Sequence, residues 1–185
     1  MSNGREPHVA GRGPRLYRLM IMLAAVVLLI DQASKEWAIS ALTGREPATL
    51  VPGLIELRLL YNPGAAFSIG SDATWVFALA TVVVVAGVLY VGRRSRSAAW
   101  SVVLAGLLGG AASHLIDRFF RAPGFGRGHV VDFIDYGPFV GNVADIALTL
   151  SCAMLMLLNL RGVPFGEPAA EEKDEPTASV PADQD

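Results

Sequence analysis

Four long apolar stretches restrict the fold of this chain more than any other feature. Residues 74–92, TWVFALATVVVVAGVLYVG, carry no charge over a length that can cross a bilayer as a helix. Residues 98–116 are rich in small side chains, which let membrane helices approach closely. Residues 16–39 and 142–160 also qualify, although each has acids near one end. We therefore predict an all-α membrane protein, a compact bundle of four transmembrane helices.

The composition agrees with this class, because 52% of the residues are hydrophobic and the mean hydropathy is +0.44. Residues 162–185 form the exception, with seven acids and one lysine from Glu167 onward. We predict a disordered acidic tail there. Residues 1–15 are rich in arginine and resemble the start of a secretion signal, but no small-residue cleavage site follows the first apolar run. We therefore expect a retained first span.

The arginines indicate the orientation of the bundle. They precede the first span, connect the second span to the third at Arg93, Arg94 and Arg96, and follow the fourth at Arg161. By the positive-inside rule these ends are cytoplasmic, and so are both termini. Three arginines between residues 118 and 141 weaken the rule locally. The basic residues lie at membrane borders, so nothing in the sequence supports nucleic-acid binding.

In this topology four acids gather at the outer face, and none lies at the inner face. Asp31 and Asp117 end outward-running spans, Asp145 begins an inward-running one, and Asp132 lies in the outer loop. A charged side chain beside hydrocarbon costs free energy, so such residues usually have an ionic partner or a functional role. Two adjacent carboxyls share one proton, so a pair such as Asp132 and Asp145 could act as general base and general acid. Spacing alone does not establish that the two meet.

The segment between the first two spans differs from an ordinary linker. Residues 54–60, LIELRLL, alternate in the manner of a short strand, and Asn62, Pro63 and Gly64 form a turn signal. We predict a small β-rich element over residues 48–70 on the outer surface; a plain linker with one turn is the alternative. The single cysteine, Cys152, lies in an apolar run and excludes an internal disulfide or a cysteine metal site.

Five short motifs occur in an order that resembles bacterial lipoprotein signal peptidases. They are DQASK at 31–35, YNPGAAFSIG at 61–70, GGAASHLIDR at 109–118, GHVVDFID at 128–135 and NVAD at 142–145. The resemblance implies an aspartyl endopeptidase of the bacterial cytoplasmic membrane, with no metal and no other cofactor. Such enzymes remove signal peptides from diacylglyceryl-modified prolipoproteins, cutting before the lipidated cysteine, and are inhibited by globomycin. The expected partners are these precursors and membrane lipid, and we expect a monomer.

By the same resemblance Asp132 and Asp145 correspond to the catalytic pair, and a surrounding set supports it or binds substrate. That set comprises Asp31, Asn62, Gly64, His114, Asp117, Arg118 and Asn142. For several of these residues a role outside catalysis and substrate binding is the alternative. Asp31 could simply pair with Lys35, Asp117 with an arginine, and Arg118 could be structural or contact a lipid headgroup, while Gly64 would serve the turn. Asp135 is expected to face water.

Three departures from the family pattern stand out. Ser113 and His114 replace a glycine and an asparagine, Gly141 replaces an aromatic residue, and the stretch between Asp132 and Asp145 is short. They leave open a divergent relative that binds lipidated peptides without cutting them. A small proton- or ion-conducting protein is a further alternative, although such a protein would have acids distributed through the depth of the membrane.

Overall fold

The computed structural model describes residues 12–64 and 74–166, which form four long helices and four short strands. The helices are α1 Arg12–Leu42, α2 Thr74–Gly92, α3 Ala98–Phe120 and α4 Val143–Leu160; the strands are β1 Ala48–Val51, β2 Ile55–Asn62, β3 Val130–Asp135 and β4 Val140–Gly141. All four helices are long and apolar enough to cross a membrane. The predicted fold class is therefore confirmed. The expectations for residues 1–11, 65–70 and 167–185 concern parts outside these described ranges.

Helix α3 occupies the centre of the bundle and packs against the other three helices. In the most apolar stretch of α3, 61% of the residues are buried, whereas only 17% are buried in the corresponding stretch of each other helix. Glycines allow this position, because a Cβ at Gly109 would lie 2.6 Å from the Ala24 carbonyl oxygen of α1. A Cβ at Gly110 would lie 2.7 Å from the Leu148 side chain of α4. The small residues of the third span therefore bring three helices into contact, as the sequence predicts.

Two helices extend beyond the predicted spans at their C-terminal ends. Helix α1 continues to Leu42, and α3 continues to Phe120, so Asp117 and Arg118 lie within its last turn. Helix α4 begins where the sequence places it, because Asn142 caps its N-terminus and Asp145 completes a capping box. The exposed faces of the helices are apolar, as on α2, where Leu79 and Val83 are largely exposed. These faces require a lipid environment.

The four strands form one antiparallel sheet in the order β1-β2-β3-β4. The predicted β-rich element contains only the first two strands. Strands β3 and β4 come from the segment between the third and fourth spans, and Asn62 of β2 lies opposite Val130 of β3. Asp132 consequently lies on a strand, opposite Leu60, rather than in a loop. The sheet joins two segments far apart in sequence, and its strands β2 and β3 pack against α1, while β3 also packs against α3.

Candidate active site

Asp132 is a buried carboxyl held by two side-chain amides. Its side chain is on β3, and the residue is only 2% exposed. The Asn62 amide, from the neighbouring strand β2, donates to Oδ2 at 3.0 Å, and the Asn142 amide donates to Oδ1 at 2.6 Å. Both carboxyl oxygens are therefore fixed by donors that the strand pairing and the start of α4 bring together.

Asp145 lies in the first turn of α4 and shares Asn142 with Asp132. The backbone N–H of Asn142 donates to Asp145 Oδ2 at 2.9 Å, and the Asn142 side-chain oxygen accepts from the Asp145 N–H at 3.1 Å. The amide nitrogen of the same side chain binds Asp132. One asparagine thus connects the two carboxyls, and it is fully buried.

A cavity of about 380 Å³ contains both aspartates. His114 of α3 also faces it, with Nε2 3.5 Å from Asp145 Oδ1 and 3.4 Å from Asn142 Oδ1. The sheet, α2, α3 and α4 supply its walls, whose residues are Asn62, Gly64, Phe77, Thr81, His114, Arg118, Val130, Asp132, Phe139, Val140, Asp145, Leu148 and Thr149. Both polar and apolar side chains line this cavity, as is usual for sites that bind a substrate.

The electrostatic environment of Asp132 favours its neutral form. Burial raises the pKa of the Asp132 carboxyl to about 7, and the nearby charge of Asp145 acts in the same direction. Hydrogen bonds from Asn62 and Asn142, together with the charge of Lys35, oppose this rise in pKa. A carboxyl that titrates near neutral pH beside a second carboxylate is suited to general acid–base chemistry.

The sequence and the fold have close relatives among known proteins. The family profile described as signal peptidase (SPase) II matches residues 23–161. The chain belongs to the signal peptidase II family. A lipoprotein signal peptidase of Bifidobacterium longum subsp. infantis is 43% identical over 160 residues, 86% of this chain and 88% of that protein. Another, of Rhodococcus jostii, is 43% identical over 157 residues, 84% and 79% of the two chains.

The fold agrees with that assignment. A bacterial membrane enzyme solved by the in meso method at 2.3 Å resolution superposes with a TM-score of 0.68, covering 85% of this chain and 93% of its own, at 24% sequence identity. Membership of the signal peptidase II family identifies the chain as an aspartic peptidase. It is a multi-pass membrane protein with four apolar helices.

Two of the acids predicted to lie near the signal peptidase II catalytic pair form a separate buried cluster. Lys35 Nζ lies 2.6 Å from Asp31 Oδ2 and 2.6 Å from Asp117 Oδ2, and all three side chains are inaccessible to solvent. Arg121 also binds Asp117, at 2.6 Å. The simple pairing alternatives for Asp31 and Asp117 are therefore present. Neither acid lines the cavity, but Asp31 Oδ1 accepts the Ala144 N–H at 2.7 Å, next to Asp145.

Arg118 binds backbone carbonyls at the turn predicted around Asn62 and Gly64. Its guanidinium donates to the Asn62 and Pro63 oxygens at 3.0 Å each, to Gly128 at 2.9 Å, and to Gly64. These bonds connect the end of β2 to the segment before β3. Gly64 in turn donates its N–H to the Asn62 side chain at 3.0 Å. Arg118 therefore holds the backbone segments around the cavity together and is itself one of the lining residues.

The expectation that Asp135 faces water is wrong. It is 9% exposed, accepts the Gly137 N–H at 2.8 Å and pairs with Arg58 at 2.8 Å. The β3–β4 hairpin requires this, because Asp135 lies opposite Val140 in the sheet, with Arg58 of β2 alongside. Asp135 does not line the cavity that holds Asp132.

Some residues that line the cavity were not predicted from the sequence, and they differ in whether a local pattern could have identified them. Thr149 lies one helical turn after Asp145, so helical periodicity could have identified it. Phe139 had no local signal, although its ring comes within 3.4 Å of the place where a Gly141 Cβ would stand. An aromatic ring therefore borders the site even though position 141 is glycine. Within residues 12–64 and 74–166, no cluster of three or more His, Cys, Asp or Glu side chains could hold a metal.

Proposed function

We propose that Asp132 and Asp145 are the catalytic pair with which this enzyme removes signal peptides from diacylglyceryl-modified prolipoproteins, before the lipidated cysteine. The observation that carries the proposal is the position of Asn142, whose side-chain amide donates to the Asp132 carboxyl and whose backbone N–H donates to the Asp145 carboxyl, with both aspartates lining one cavity. One buried residue therefore holds both carboxyls, Asp132 through its side chain and Asp145 through its backbone. Pre-organised geometry of this kind is what general acid–base catalysis requires.

In the proposed reaction, one aspartate is ionised and the other carries a proton. The ionised carboxylate takes a proton from water while the water oxygen attacks the scissile carbonyl carbon. The protonated carboxyl gives its proton to the carbonyl oxygen, forming a tetrahedral diol. When the diol collapses, the C–N bond breaks and the leaving nitrogen receives a proton from the carboxyl that took it from water. At the same time one diol hydroxyl returns its proton to the carboxylate that protonated the carbonyl oxygen, which reforms the carbonyl and restores the starting protonation of the pair. Asn62 and Asn142 hold Asp132 during these transfers.

The surroundings of the pair support a lipid-modified precursor as substrate. The apolar cavity wall includes Phe77, Phe139 and Leu148, and the exposed outer face of α4 next to Asp145 includes Ile146 and Leu150. A peptide bearing hydrocarbon chains could therefore reach the carboxyls from the bilayer. The positions of the arginines support a topology with the sheet and the carboxyls at the outer face of the bacterial cytoplasmic membrane and both termini inside. We propose that the enzyme acts there as a monomer.

The decisive experiment measures cleavage of a diacylglyceryl-modified prolipoprotein by the purified enzyme in micelles, followed by a shift on gels. Asp132→Asn and Asp145→Asn should each lower the rate by at least about 10²-fold. Asp135→Asn is the matched control, because this carboxyl lies on the same strand outside the cavity; that variant should remain within a few-fold of the unmodified enzyme. Globomycin should inhibit, and the precursor without diacylglyceryl should not be cut.

Normal cleavage by either active-site variant would refute the catalytic assignment. Loss of cleavage in all three variants would point to a general loss of structure and would also contradict it. Equal cutting of the unmodified precursor would refute the substrate assignment alone. Orientation is tested separately, in a Cys152→Ser background, by labelling with a membrane-impermeant maleimide. Pro138→Cys should be labelled from outside intact cells and Arg94→Cys should not; the reverse pattern would refute the topology.

A further inference from the structure

The imidazole of His114 faces two oxygen atoms of the site. Its Nε2 lies 3.4 Å from Asn142 Oδ1 and 3.5 Å from Asp145 Oδ1. The assignment of Asn142 Oδ1 is fixed by other contacts, because the amide nitrogen of the same side chain donates to Asp132 Oδ1 at 2.6 Å and to the Val131 carbonyl at 3.3 Å. An oxygen there also accepts the Asp145 N–H. Two acceptors therefore surround Nε2, so this nitrogen carries the hydrogen.

A donor in this place acts differently on the two aspartates. Nε2 lies against Asp145, whose side chain is 36% exposed, while Asp132 is enclosed and receives its hydrogen bonds from neutral amides. A hydrogen bond or positive charge beside a carboxyl favours its ionised form. His114 therefore favours ionisation of Asp145 over ionisation of Asp132.

We propose that His114 is a positioning residue that donates from Nε2 to Asp145 and to the Asn142 side-chain oxygen, and so keeps Asp145 ionised while Asp132 carries the proton that the pair shares. Asp145 is then the group that takes a proton from water, and Asp132 the group that gives one to the carbonyl oxygen. This inference rests on the proposed catalytic role of the pair. It adds the direction of proton transfer and a function for His114.

The other charges around His114 come from each neighbouring element. Lys35 and Asp31 of α1 act on the imidazole with opposite signs, and Asp145 of α4 attracts its charged form. Asp132 of β3 lies in the same cavity, as does Arg118, one turn along α3. The α2 side chains that reach the cavity, Phe77 and Thr81, are uncharged. Among the described residues, Asp145 is the only one of these acids with a carboxyl oxygen within 4 Å of a ring nitrogen.

The first test compares pH–rate profiles of the unmodified enzyme with those of His114→Phe, which keeps a ring without the donor, and His129→Asn, a control histidine outside the cavity. We expect His114→Phe to move the acid limb of kcat/KM to higher pH by about one unit, because an adjacent donor or charge shifts a carboxyl by about that amount. The plateau rate should fall less than about tenfold. An unchanged acid limb in His114→Phe, or an equal shift in His129→Asn, would overturn the proposal.

The second test does not depend on catalysis. Ring titration of His114 is followed by NMR in the full-length protein with labelled histidine, in the unmodified enzyme and in Asp145→Asn and Asp132→Asn. His114 should keep its proton on Nε2 when neutral, and its titration midpoint should fall by about half a unit or more in Asp145→Asn and by less in Asp132→Asn. Equal midpoints in the unmodified enzyme and Asp145→Asn would refute the contact. If the NMR result holds while Asp145→Asn still cleaves substrate, the catalytic assignment fails and the contact stands.

Discussion

Replacing Lys35 should destabilise the protein strongly. The ammonium lies 2.6 Å from a carboxyl oxygen of Asp31 and of Asp117, and none of the three side chains is accessible to solvent. In Lys35→Met, a side chain of similar length fills the space but leaves two buried carboxyls facing each other. Removing one partner of a buried ion pair costs about 3–5 kcal/mol.

The cost follows from burial rather than from distance. Arg58 and Asp135 are 2.8 Å apart, nearly as close, but the Arg58 side chain is 51% exposed. Ion pairs of that kind contribute about 0–1 kcal/mol. A protein of this size loses about 2–4 °C in Tm per kcal/mol. We therefore expect Lys35→Met to lower Tm by about 6–20 °C and Arg58→Met, the matched control, by less than about 4 °C.

The assay is thermal unfolding of the full-length protein in micelles at several pH values. The Lys35→Met deficit should be smaller at pH 5 than at pH 8, because a proton on Asp31 or Asp117 removes the repulsion between them. A Lys35→Met variant as stable as Arg58→Met would refute the reasoning. So would a deficit that grows as the pH falls.

Two further changes test the site and the bundle by thermal unfolding in the same micelles. Asp132→Asn should remove a pH dependence of stability. The pKa of the Asp132 carboxyl is raised from 3.8 to about 7 in the folded protein. The unmodified protein should therefore lose at most about 4 kcal/mol of stability as the pH rises from about 4 to 7. The two proteins should therefore differ most above pH 7, and parallel pH curves would contradict this. Gly109→Val should lower the free energy of unfolding by about 1–3 kcal/mol, because its Cβ would lie 2.6 Å from the Ala24 carbonyl oxygen. The control Gly87→Val should lower it by less than about 1 kcal/mol, because no atom lies within 4 Å of a Cβ at that position. Equal losses would mean that α1 and α3 are not in close contact.

The sequence by itself determined the four spans and the start of α4. Hydropathy is sufficient for the spans, because a bilayer admits only segments that satisfy their own backbone hydrogen bonds, and helices of about 20 apolar residues do so. The α4 start is equally local, because Asn142 and Asp145 cap the helix from three residues apart. The motifs that resemble lipoprotein signal peptidases identified the family for the same reason, since each is short and contiguous.

Only the tertiary structure decided which of the four clustered acids meet. Asp31 and Asp117 bind Lys35 inside the bundle, while Asp132 and Asp145 are joined by Asn142 at the cavity. The difference arises from contacts between distant segments: Asn62 reaches Asp132 across 70 residues, through the pairing of β2 with β3. Hydropathy places charges at a membrane depth, but partners within that layer are set by strand register and helix packing. Strand register and helix packing depend on contacts along the whole chain. Local patterns therefore did not predict strands β3 and β4, the burial of Asp135 or the place of the Phe139 ring beside the cavity.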